Sequence, residues 1–227
     1  MSRLALTVLL LSGATAASAD VLVVRASGPS ASTYPAGRSL PNDARITLRG
    51  GDTLVVLDAR GTRTFRGPGT FTPASAAAAG PRVAQTADNR RARIGAVRSA
   101  GIVPASPSSI WQIDVSQGGT VCLANTSEVT LWRPDASQTA SLAISGSGAS
   151  RTLSWPAGNV TTAWPSDLPI ANGARYQLSQ AGTAVPTNIT FRTLASAPGD
   201  MQAVAQALIA NGCQEQLDLL VDSAPAE

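Results

Sequence analysis

Short apolar runs separated by Gly, Pro, Asn and Asp fill most of this chain, and only after residue 197 does the spacing lengthen to that of a helix. Val21 to Arg25 is a β-branched run that reads as a strand. After a turn-rich passage from Ser27 to Asn42, Ala44 to Leu48 alternates polar and apolar residues. Arg49-Gly50-Gly51-Asp52 supplies a hairpin turn, and Thr53 to Asp58 returns as a second strand. Ala59-Arg60-Gly61 turns the chain into Thr62–Arg66, and Gly67-Pro68-Gly69 leads into Thr70–Thr72. These signals predict a small β-meander or β-roll over residues 20–73.

A second β region opens at Ile110–Val115, where Trp111, Ile113 and Val115 alternate with Ile110, Gln112 and Asp114. Further strands are expected at Thr120–Ala124, Glu128–Arg133, Thr139–Ser145, Ser150–Trp155, Asn159–Trp164, Arg175–Gln180 and Thr187–Thr193. Many short strands at this spacing predict a β-sandwich over residues 110–196, of jelly-roll or immunoglobulin-like type. Then Asp200 offers an N-cap to Met201–Ala210, with Met201, Val204, Ala205 and Leu208 on one face, and Asn211-Gly212 stops the helix. A second short helix from Cys213 to Val221 carries Leu217, Leu220 and Val221. Residues 197–227 are therefore expected to form a helical hairpin packed on the sandwich, making the fold mainly β.

The ends and the middle read differently. Met1-Ser2-Arg3 and the apolar run Leu4–Leu11 form a basic n-region and an h-region too brief to span a bilayer. Ala17-Ser18-Ala19 offers small residues for signal cleavage before Asp20. Residues 1–19 are accordingly expected to be a signal peptide, and the product to be exported to a periplasm, with no transmembrane segment after cleavage. Residues 74–109 are Ala-rich, then Arg-rich, then Pro/Ser-rich, and read as a linker.

Every cationic side chain is Arg: the chain has no Lys and no His. That removes Ser-His-Asp and Cys-His arrangements, imidazole metal ligands, Ser-Lys dyads, Schiff bases and phosphate-loop lysines. Carboxylate chemistry survives, and an Asp-dependent hydrolase is the remaining enzyme reading. Asp52 and Asp58 are better explained as turn and strand-end residues, so no catalytic residue, metal ligand or cofactor is assigned.

Charge is split along the chain. Asp20 to Arg98 holds 12 Arg against 5 Asp, whereas Ser99 to Glu227 holds 4 Arg against 9 acids. The split can steer the two halves together, or aim Arg90, Arg91 and Arg93 at an anionic partner, or simply describe two solvated surfaces. Nucleic acid is not an expected partner in an exported chain.

Cys122 and Cys213 are the only cysteines, and in an exported chain they are expected to form a disulfide, with a loop-closure contribution of about 4 kcal/mol. Trp155-Pro156 and Trp164-Pro165 are matched dipeptides. Their rings read as core in a domain short of large side chains, or, in a carbohydrate-binding module, as exposed stacking platforms.

The pattern over residues 38–71, Gly37-Arg38-Ser39-Leu40, a strand, Gly51-Asp52, an apolar strand, a Gly turn and Gly67-Pro68-Gly69-Thr70-Phe71, resembles the periplasmic FecR-type domain. The resemblance implies an exported β-roll that senses or binds other envelope proteins. A signal peptide stands where a membrane-spanning anti-sigma regulator would carry its cytoplasmic tail, which separates this chain from direct sigma-factor control. The expectation is an exported, non-enzymatic interaction or sensing module with an envelope protein partner.

Overall fold

The computed structural model describes residues 20–74 and 106–226, with positions 147 and 197 omitted. The expected signal peptide and most of the expected linker, with Arg90, Arg91 and Arg93, lie outside the described residues. The fold is mainly β and ends in a helical hairpin.

The N-terminal part contains β1 (Val21–Ser27), β2 (Ser39–Leu40), β3 (Ile46–Leu48), β4 (Thr53–Asp58), β5 (Gly61–Arg66) and β6 (Gly69–Phe71). The turn at Arg49–Asp52 connects β3 to β4, but β3 pairs with β6. The central sheet runs β2-β1-β4-β5, with β1 and β4 antiparallel and a register shift between Val23 and Arg25. This sheet is buried on both faces, which explains why β1 and β4 are continuous apolar runs instead of alternating ones. Val21, Val23, Leu54 and Val56 face the β3–β6 ribbon together with Phe65. Leu22, Val24, Val55 and Leu57 face the opposite way, onto the helical hairpin.

The second part forms a sandwich of two sheets. One has the order β11-β10-β13-β14-β8, built from β8 (Gly119–Leu123), β10 (Ala140–Gly146), β11 (Ala149–Trp155), β13 (Arg175–Gln180) and β14 (Thr187–Thr193). The other has the order β12-β9-β7, from β7 (Ile113–Asp114), β9 (Thr130–Trp132) and β12 (Thr161–Ala163). Leu131, Leu142, Ile144, Trp155, Trp164, Tyr176, Leu178, Ile189 and Phe191 fill the space between them. The strand expected at Ile110–Val115 shortens to β7, because Ile110 and Trp111 turn away to pack against the hairpin.

The hairpin comprises α1 (Met201–Asn211) and α2 (Gln214–Ser223). Asp200 caps α1 by accepting from the Ala203 N–H at 2.7 Å, and Gly212 ends it at φ 70°, a left-handed conformation suited to glycine. Ala205, Leu208, Leu217, Leu220 and Val221 form one cluster with the N-terminal sheet and with Cys122 of β8, so the hairpin is wedged between the two β parts. After α2 the chain reaches β5: the Thr62 N–H donates to Pro225 O at 2.8 Å. A Cβ on Gly61, whose φ is 144°, would lie 2.1 Å from that same carbonyl, so the tail can dock only against glycine.

Candidate functional site

A cleft of about 230 Å3 opens where the sandwich meets the hairpin. One wall is the chain from Ser106 through Gln112 to Asp114, the other is α2, and Gly118, Thr120 and Val121 of the β8 region lie between them. Gln216 of α2 also lines it. Its Oε1 accepts from the Cys122 N–H at 2.6 Å, and its Nε2 donates to Cys122 O at 2.9 Å and Ile110 O at 2.7 Å. Beside it the Cys122–Cys213 disulfide joins β8 to the start of α2, with Cα atoms 5.9 Å apart and both cysteines fully buried.

The Cys122 backbone groups face Gln216, whereas the Leu123 carbonyl accepts from Leu194 on the β14 side at 2.9 Å. Successive residues of a strand turn their backbone groups to opposite edges, so the N–H and C=O of Thr120 face the same edge as those of Cys122. That edge is where the cleft lies.

Four carboxylates line the cleft: Asp114 from β7, and Glu215, Asp218 and Asp222 from α2. The last three recur at helical spacing and form one stripe, opposite the buried Leu217, Leu220 and Val221. Asp114 accepts from the Ser116 N–H at 2.8 Å and the Ser116 hydroxyl at 2.6 Å, which fixes its carboxylate. Arg25 of β1 is ion-paired with Asp218 and lies 3.7 Å from Asp222. The hydrogen bond to Asp218 holds its guanidinium above the usual arginine range, against the opposing effect of burial. This contact joins a residue of the basic half of the chain to residues of the acidic half.

The other singled-out residues do not join the cleft. Trp155 is fully buried and Trp164 is 7% exposed, so neither ring offers a face to a sugar. That corrects the stacking expectation, and the reason is demand for core volume. Trp164 packs edge-on against Tyr176 and Phe191 at 5.0 and 5.1 Å and donates from Nε1 to Leu168 O at 3.0 Å. Trp155 lies beneath the Arg133 guanidinium, 5.0 Å from the ring centroid.

Asp52 and Asp58 are structural. Asp52 accepts from the Ser30 N–H at 2.9 Å and from the Arg49 N–H. The Ser30 hydroxyl, followed by the Ser30 and Arg49 N–H groups, holds its carboxyl below the usual aspartate range. Asp58 is paired with the buried Arg63 and accepts from the Arg60 N–H at 2.8 Å. No cluster of metal-ligating side chains occurs among the described residues.

Sequence reasoning missed the cleft because its acids come from two stretches, Asp114 and the helix bearing Glu215, Asp218 and Asp222, that lie far apart along the chain. The signal within reach was the spacing of Glu215, Asp218 and Asp222 opposite the apolar stripe of a predicted helix. Together, fold and cleft define a mainly β protein with a disulfide-anchored hairpin and an acidic groove at the junction of its parts. Comparison with known proteins finds no family model, no curated relative and no solved structure that matches the chain.

Proposed function

We propose that this chain is an exported, non-enzymatic interaction module of the cell envelope, which takes a cationic segment of a partner protein into the cleft beside α2. The carrying observation is the cleft itself. It is concave, lies between packed parts of the fold, and combines four carboxylates with the outward backbone edge of β8 at Thr120. An extended Arg- or Lys-bearing segment can pair with Thr120 while its cations meet Asp114, Glu215 and the solvent-exposed side of Asp222. Arg25, ion-paired with both Asp218 and Asp222, keeps the wall in place.

A periplasmic location is supported by the n-region, h-region and small-residue pattern of residues 1–19. The disulfide fits an oxidising compartment, and no helix among the described residues is long and apolar enough to cross a membrane. The likeness of residues 38–71 to a FecR-type domain supports a sensing or binding role.

The test is site-specific photo-crosslinking in cells that export the protein. A photoreactive residue at Gln117 or Leu219 is expected to capture a discrete protein adduct, which is lost when Glu215 and Asp222 are both changed to Lys. A probe at Thr47, exposed on the β3–β6 ribbon that covers the face of the N-terminal sheet opposite the hairpin, is the control. Equal labelling from Thr47, or adducts unaffected by the charge reversal, would reject the reading.

A further inference from the structure

Strand β11 is an edge of the five-stranded sheet, and its outer side has no strand partner among the described residues. Hydrogen bonds deeper in the sheet show which backbone groups lie on that side. The Ala181 N–H donates to Ser141 O at 3.0 Å, so Ser141, Ala143 and Ser145 of β10 turn their backbone groups toward β13. Ala140, Leu142, Ile144 and Gly146 then face β11, where their register partners are Trp155, Leu153, Arg151 and Ala149. Those four exchange bonds with β10, and the N–H and C=O groups of Ser150, Thr152 and Ser154 are left at the rim. All three residues are exposed. The Arg151 guanidinium donates to Ser150 O at 3.0 Å, in keeping with a carbonyl outside the ladder.

Sheet edges are commonly blunted by Lys, Pro, bulges, extreme shortness or a covering loop. β11 has none of the first four: it is 7 residues long, without Pro or Lys, and its register with β10 is unbroken from Ala149 to Trp155. Its one charge, Arg151, is ion-paired with Asp167. The rim residues also read the same in both directions, Ser150, Thr152, Ser154.

We infer that β11 pairs antiparallel with β11 of a second copy of this chain about a two-fold axis at Thr152, joining the two large sheets into one. In this register Thr152 faces Thr152 of the second copy and Ser150 faces its Ser154, and each facing pair exchanges two backbone hydrogen bonds. Hydroxyl side chains meet hydroxyl side chains, a favourable cross-strand combination. Arg151 faces Leu153 of the second copy, so like charges do not meet. The contact is one strand wide, which makes the dimer weak and concentration-dependent.

Sedimentation velocity on the chain from Asp20, with its disulfide intact, tests this. The weight-average mass is expected to rise from monomer toward dimer with concentration. Thr152→Lys and Thr152→Glu, exposed changes that place like charges opposite each other, each weaken dimerisation by about fivefold or more. Mixing the two restores it as a heterodimer. As a second measurement, Thr152→Cys is expected to crosslink between copies on oxidation, since facing Cα atoms lie roughly 5.5 Å apart, whereas Val185→Cys is not. A chain that stays monomeric throughout, a dimer indifferent to both charges, or crosslinking no greater from position 152 than from 185 would each overturn the inference.

Discussion

Gln216 completes the outer edge of β8 as a neighbouring strand would, its amide meeting both the N–H and the C=O of Cys122. It is 6% exposed and binds Ile110 O as well, so one side chain ties α2 to β8 and to the first wall of the cleft. Gln216→Leu keeps the approximate volume and leaves the two buried backbone groups of Cys122 and the part-buried carbonyl of Ile110 without their partner. The expected cost is about 3 kcal/mol, seen in urea unfolding. Hydrogen exchange at the Cys122 amide should accelerate more than at Leu142, in the sandwich core. Equal acceleration at the two sites would mean the loss is global and not local to β8.

The disulfide restrains the same junction by another route. It closes a sequence separation of 91 residues, so the chain-entropy contribution is about 4 kcal/mol. Replacing both cysteines with Ala is expected to lower Tm by about 10 °C. The effect should fall mainly on the hairpin and the N-terminal sheet, because Cys122 and Cys213 belong to their cluster and not to the sandwich core. Limited proteolysis of the double variant should therefore release fragments cut near α1 and α2 before cuts appear within β10–β14.

Much of this architecture is legible along the chain, for a physical reason. Where one face is solvated, as in β13, alternation is clean, and the expected span Arg175–Gln180 matches the strand residue for residue. The helix caps at Asp200 and Gly212 are equally local signals. Pairing of β1 with β4 and of β3 with β6 depends on contacts far apart in sequence and has no local signature. β2 is a two-residue strand created by its neighbour β1, so the turn-rich passage around it conceals it. The tryptophans illustrate a different limit. Residue type alone does not say whether a ring faces core or solvent, and here Trp155 and Trp164 are drawn into the sandwich core beside Tyr176 and Phe191. The cleft is less legible still, because Asp114, Thr120 and Asp222 converge only after the hairpin folds back.

Asp52 gives the fold a defined response to acid. Its carboxyl is held below the usual aspartate range by the Ser30 hydroxyl and by the N–H groups of Ser30 and Arg49. A depressed value means that the ionised form stabilises the native state. That contribution is complete above the unfolded value of about 3.9 and is lost as pH falls through the folded one. Asp52→Asn is expected to be less stable than wild type at neutral pH, with the gap narrowing at an acid pH below the unfolded value of about 3.9. Urea midpoints at the two pH values measure this, and a gap independent of pH would refute the assignment.

Arg133 is a buried cation whose three hydrogen-bond acceptors are neutral backbone carbonyls. It is 1% exposed, and its Nε, Nη1 and Nη2 donate to Asn159 O, Gln138 O and Pro156 O at 3.0, 3.0 and 2.7 Å. The planar fork thus gathers the turns after β9 and β11 while its face lies over Trp155. A lysine preserves the charge but cannot reproduce this geometry: its single ammonium reaches fewer of the three carbonyls and leaves the rest buried without donors. Arg133→Lys is expected to cost about 2–3 kcal/mol, and Arg133→Met about 3–5 kcal/mol, because the methionine supplies no donor at all. Denaturant unfolding followed by Trp fluorescence checks the order, since Trp155 senses loss of the overlying guanidinium directly. If Lys were tolerated as well as Arg, charge alone would suffice and the fork would not be what holds these turns.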